Sequence, residues 1–66
     1  MTFLIMNGAA RVNVADGSVY DQADTLAEAK AKLAAYDEGE HLCIVEADLI
    51  DGEWVYQRVV SDAEIA

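Results

Sequence analysis

Proline is absent, cysteine and histidine occur once each, and the four glycines stand apart from one another. Cys43 alone forms no intrachain disulfide, and without a Cys/His cluster no metal-ligand set is expected. Isolated glycines build no phosphate-cradling loop. Basic residues are scarcer than acidic ones: Lys and Arg total 4 against 13 Asp and Glu, for a formal net charge of −9. Nucleic acids and anionic membranes are held by a basic footprint, so direct binding of either is not expected. Long hydrophobic runs are missing too. Phe3-Leu4-Ile5-Met6 follows the first residues without a basic segment before it, so neither a signal peptide nor a membrane span is expected. A reducing cytoplasm is the expected compartment.

What remains is short and apolar enough to fold. The 66 residues are 55% hydrophobic, which separates the chain from disordered acidic tails. One compact domain over 1–66 is expected, burying roughly 60% of its unfolded surface. There is no room in it for a cofactor-sized cavity, and no cofactor is expected.

Thr2 to Asn7 reads as a strand buried on both faces. Gly8-Ala9-Ala10 breaks it. Arg11 to Val14 alternates polar and apolar, Asp16-Gly17 signals a turn, and Ser18-Val19-Tyr20 is either a short returning strand or part of an irregular excursion. Thr25-Leu26-Ala27-Glu28 fits a capping box, and a run of good helix formers continues to Tyr36, with Gly39 as the stop. Leu26, Ala29, Leu33 and Tyr36 share its apolar face. His41 to Ile50 and Glu53 to Val60 then flank Asp51-Gly52, the dipeptide of a two-residue type I′ hairpin. The expected fold is α+β: a three- to four-stranded antiparallel sheet with one helix on one face, in the order β-(β)-α-β-β. Either a monomer or a weak homodimer through a sheet edge or the mixed face fits.

The hairpin register pairs Ile50 with Glu53, Leu49 with Trp54, Ala47 with Tyr56 and Val45 with Arg58. One face then holds Cys43, Val45, Ala47, Leu49, Trp54, Tyr56 and Val60, with Arg58 as its only charge, and is expected to carry the helix. The other face bears every carboxylate of both strands and is expected to meet solvent.

Catalytic constellations are nearly lacking. His41 and Cys43 sit two apart on a strand, but a Cys–His pair needs a pocket and an orienting third group. A small buried hydrophobe is the better reading of Cys43. The carboxylates have no evident apolar pocket to raise a pKa, and Asp37-Glu38-x-Glu40 lacks the spacing of a calcium loop. An enzyme is not expected.

The acids are unevenly placed. Between Lys32 and Arg58 stand Asp37, Glu38, Glu40, Glu46, Asp48, Asp51 and Glu53, with no Lys or Arg among them. Asp37 and Glu38 fall at the helix C-terminus, where the dipole disfavours anions. These seven residues are the candidate partner-binding surface. Carboxylates at i and i+2 on a strand are about 6.6–6.8 Å apart, similar to successive phosphates on one nucleic-acid strand. A basic protein is therefore the expected partner.

Small size, strong acidity, the Asp24-Thr25-Leu26-Ala27-Glu28-Ala29-Lys30 helix start and the Ile50-Asp51-Gly52-Glu53-Trp54-Val55 hairpin together resemble the small acidic phage-encoded anti-CRISPR proteins of the type I-C class. That resemblance implies an inhibitor of a type I Cas surveillance complex, acting as a DNA mimic on the surface of a Cas subunit that receives target DNA. The helix start also resembles HicB-type antitoxins, which implies a module covering a small basic toxin.

Overall fold

A computed structural model describes residues 1–36, 41–61 and 64. Strand β1 (Thr2–Asn7) is followed by two short 3-10 turns, Gly8–Arg11 and Val14–Asp16, then by β2 (Val19–Ala23), α1 (Leu26–Ala34), β3 (Leu42–Ile50) and β4 (Glu53–Val59). The strands form one antiparallel sheet in the order β2-β1-β3-β4. The α+β architecture is the expected one, with four strands and one helix. The returning strand β2 is longer than Ser18–Tyr20 and pairs along β1 from Phe3–Ala23 to Met6–Val19. Arg11 to Val14 forms no strand. Asn13 instead caps the second 3-10 turn, its Oδ1 accepting from the Ala15 N–H at 3.1 Å and its Nδ2 donating to Asp16 at 2.9 Å, because an Asn side chain offers the backbone a local alternative to a ladder.

Each element follows from its residues. At the helix start, the Thr25 hydroxyl accepts from the Glu28 N–H at 3.1 Å, satisfying one orphan donor of the first turn. At the β3–β4 turn, Asp51 and Gly52 have φ of 53° and 82°, the two positive values that a type I′ turn requires. β1 is buried on both faces, with Leu4, Ile5 and Met6 each fully inaccessible.

Two apolar clusters lie on either side of the sheet. On one side Leu4, Met6, Cys43, Val45 and Ala47 pack with Ala10 and Val14 of the 3-10 turns and with Trp54, Tyr56 and Val59. On the other, Ala23, Ile44, Val60 and Phe3 pack with Leu26, Ala29 and Leu33 of α1. The helix therefore covers the face opposite to the expected one. Cys43, Val45, Ala47, Trp54 and Tyr56 lie under the 3-10 turns. β2 and β3 both run antiparallel to β1, hence parallel to each other, and α1 is the crossover between them. Which face such a crossover covers is set by its handedness, a property that the distribution of acids along β3 does not encode. Tyr36 also leaves the helix core: its ring meets Tyr20 edge-on, 6.0 Å between centroids.

β4 departs from the regular register. Leu49–Trp54 and Ala47–Tyr56 pair as expected, but a bulge at Gln57 shifts the next pairs by one residue, giving Glu46–Arg58 and Val45–Val59. A bulge sends the residues beyond it to the opposite face. Arg58 thus joins Glu46 on the helix side, Val59 joins Val45, and Val60 returns to the helix side, its N–H donating to Ile44 O at 2.8 Å. Charge faces charge and valine faces valine, the cross-strand matches that stabilise a sheet.

Candidate functional site

Of the seven candidate acids, Asp37, Glu38 and Glu40 lie outside the described residues. The remaining four are one buried structural residue, one half-buried residue with partners of its own and two exposed at the turn. Glu46 is not at solvent: it is 9% exposed, and Arg58 Nε sits 2.8 Å from its Oε2. The bulge that moved Arg58 across the strand supplies this partner. A carboxylate at that depth must be paired, so Glu46 belongs to the fold and not to a phosphate-like row. Asp48 is half-buried on the same face. It accepts from Gln57 Nε2 at 3.3 Å, and the Met1 amino group lies 3.4 Å away. Asp51 and Glu53 are exposed at the turn.

These outward acids occupy the part of the sheet beyond the helix. α1 packs on β1, β2 and β3. The hairpin end beyond it leaves Ile50 52% and Val55 41% exposed, side by side with Glu53 and Asp48 through the Ile50–Glu53 and Asp48–Val55 pairs. The result is a small mixed surface of carboxylates and aliphatic side chains on a paired two-stranded support.

Two of the basic residues are consumed internally. Lys32 Nζ donates to Gln22 O at 2.6 Å and lies 3.4 Å from Asp21 and 3.6 Å from Glu28. The Gln22 N–H bond to Asp21 lowers the Asp21 pKa, with Lys32 adding to the effect. Arg58 grips Glu64 with two bonds of 2.8 and 3.0 Å while also holding Glu46. Its cation is favoured above the usual range by these carboxylates. Glu64 also accepts from the Ser61 N–H and hydroxyl. Arg58 first, and then Ser61, bring its pKa from 4.5 down to about 2. With the folded value depressed, the Glu64 contribution to stability is complete above pH 4.5 and fades as the pH falls toward 2. In an NMR titration the Glu64 carboxyl carbon is expected to keep its ionised shift through pH 4, and Arg58→Gln to return its midpoint toward 4.5. A wild-type midpoint near 4.5 would show that the clamp does not form.

Cys43 is fully buried and its Sγ donates to Asn7 O at 3.4 Å. Burial pushes the thiol pKa up, away from the thiolate needed for nucleophilic work. His41 is exposed. Among the described residues no group of three His, Cys, Asp or Glu side chains is placed to hold a metal ion, and no helix is long and apolar enough to cross a membrane.

A groove of about 400 Å³ opens at the end of the sheet next to the hairpin, lined among others by Thr2, Asp24, Glu28, Leu49 and Trp54. In the sequence Glu28 reads as part of the helix cap and Trp54 as part of the core face. The groove went unseen because it is made by unequal strand lengths, which no local pattern marks.

The geometry defines a class: an antiparallel four-stranded α+β domain with an acidic, partly apolar hairpin end. No protein-family model, curated protein or solved structure matches the chain.

Proposed function

We propose that this chain is a non-enzymatic inhibitor that uses the end of its β3–β4 hairpin to occupy a basic, nucleic-acid-binding surface of a type I Cas surveillance complex. It acts there as an acidic DNA mimic in the cytoplasm of a bacterial host. The observation that carries the reading is the division of labour among the charges. Lys32 and Arg58 are absorbed by Asp21, Glu28, Glu46 and Glu64 inside the fold, while Asp51 and Glu53 are exposed at the hairpin turn past the helix and Asp48, held by Gln57 and the Met1 amino group, lies beside them. The neighbouring Ile50 and Val55 add apolar contact, which a protein partner rewards and a purely solubilising surface does not need. The helix-on-sheet architecture also suits an antitoxin covering a small basic toxin, so that partner belongs in the same experiment.

The immobilised protein is to be tested for capture of purified type I-C Cas subunits and of a panel of small basic toxins. Capture of a Cas subunit is expected, with affinity falling about tenfold or more as salt rises from low to physiological strength, since exposed charges steer and hold such complexes. Reversing Asp48, Asp51 and Glu53 together to lysine is expected to abolish capture. Reversing the exposed Asp16 is expected to change it little. Glu46 is left intact because its loss would act through folding. Capture of a toxin alone would favour the antitoxin, and affinity for a Cas subunit that survives the triple reversal would remove the hairpin as the interface.

A further inference from the structure

The groove beside the hairpin has its own recognition chemistry. At that end of the sheet β1 begins at Thr2, which pairs with Ala47, while the hairpin runs on through Leu49 and Trp54 before it turns. On the other flank β2 stops at Ala23, and the chain turns through Asp24 into α1. The hairpin and the helix start thus form two walls, with Thr2 between them, around about 400 Å³. That volume suits one side chain or a small ligand.

The walls differ in kind. The hairpin wall is apolar and aromatic, with Leu49 58% exposed and the half-buried indole of Trp54 beside it. The helix wall is acidic. Among the described residues Lys32 is the one cation lining it, and its ammonium is already shared among Gln22 O, Asp21 and Glu28. Among the described residues Asp24 has no ion-pair partner. A long side chain with an apolar stem and a planar cationic head matches both walls at once. Its methylenes cover Leu49 and Trp54, and its head meets Asp24, since Glu28 is already paired with Lys32. Arginine fits better than lysine, because the guanidinium bonds carboxylates in a fork and stacks on aromatic faces.

We infer that this groove is a binding site for an arginine side chain presented by a protein partner. The inference rests on the proposed reading of the chain as a binder of a basic surface, and it gives that surface a specific anchor.

Trp54 is the only tryptophan, so its emission reports on the groove directly. The probe is the capped tripeptide acetyl-Ala-Arg-Ala-amide, with its citrulline counterpart as the uncharged isostere. A saturable change in Trp54 emission is expected with the arginine peptide. Loss of one charged contact of this kind corresponds to about tenfold in affinity, so binding is expected to weaken by that factor with citrulline and again in Asp24→Asn. Asp24 is exposed, and an unchanged emission spectrum of the free variant verifies its fold. Asp16→Asn, at an exposed position away from the groove, is expected to titrate like the wild type. No saturable response, an equal response to citrulline, or an Asp24→Asn variant that binds as well as the wild type would each overturn the assignment. The tripeptide contains no Cas subunit or toxin, so this titration succeeds or fails independently of the capture experiment.

Discussion

Glu46→Lys is expected to cost the domain about 3 kcal/mol or more of its stability, while Glu53→Lys, seven residues on, is expected to leave it nearly unchanged. Glu46 is buried against Arg58 at 2.8 Å. Arg58 keeps Glu64 as a partner, but the lysine puts an unpaired cation at the buried position, and an uncompensated buried charge costs about 3–5 kcal/mol. Arg58 is half-exposed, which moves the expected loss toward the lower figure, and a lysine facing an arginine adds repulsion. A 66-residue chain has about 3–10 kcal/mol of stability in all, so a loss near 3 consumes from about a third to all of it. Glu53 is exposed, where a substitution is worth about 0.5 kcal/mol or less. Urea unfolding followed by circular dichroism measures both. A Glu46→Lys variant within 1 kcal/mol of the wild type would contradict the Glu46–Arg58 pairing and the bulge that produces it. The contrast also guards the functional test, since a reversal at Glu46 would abolish partner binding through folding alone.

Ile44→Ala is the second large effect, with an expected cost of about 2–5 kcal/mol. Ile44 is fully buried, pairs with Ile5 in the sheet and lies in the cluster under the helix with Ala23, Ala29, Val60, Phe3, Leu26 and Leu33. Two of those neighbours are alanines, which let α1 approach closely but have no length with which to fill a cavity. The space left by the missing side chain therefore stays open, and the cost falls in the upper half of the range. Because β3 is held by β1 and β4 on both sides, the helix is expected to loosen before the strands do. Amide exchange should rise first over 26–34, then across the sheet. Leu49→Ala, on the exposed hairpin end, is the comparison and is expected to be near neutral. If Ile44→Ala matched it, Ile44 would not anchor the helix.

β1, the helix start and the β3–β4 hairpin were legible because each carries a local signal. The sequence of β2 reads either as a short strand or as part of an irregular excursion, and the helix stops at Ala34, short of Tyr36. The Thr25–Glu28 cap, the Asp51-Gly52 turn and the unbroken apolar run of β1 act over a few residues, and each determines its own geometry. The register at the turn end of the hairpin followed from the turn in the same way. Local pattern failed farther along β4. Regular alternation placed Arg58 with Val45 and left Glu46 at solvent, whereas the bulge at Gln57 brought Arg58 to Glu46. The drive to pair a buried carboxylate comes from its burial, and burial depends on neighbours distant in the chain. The acids at Asp51 and Glu53 were readable as exposed because a tight turn projects its residues whatever packs elsewhere. The three at Asp37, Glu38 and Glu40 lie outside the described residues.

Composition and local periodicity by themselves determined the class of fold, the helix start, the hairpin turn and the surplus of negative charge, because those are properties of single segments or of their sum. Tertiary structure alone decided which face the helix covers, which acid is sacrificed to an internal ion pair and where a groove opens. Each of these depends on how segments distant in sequence meet: the hand of the β2–α1–β3 crossover, the one-residue shift of β4 against β3, and the three residues by which the hairpin outruns β1.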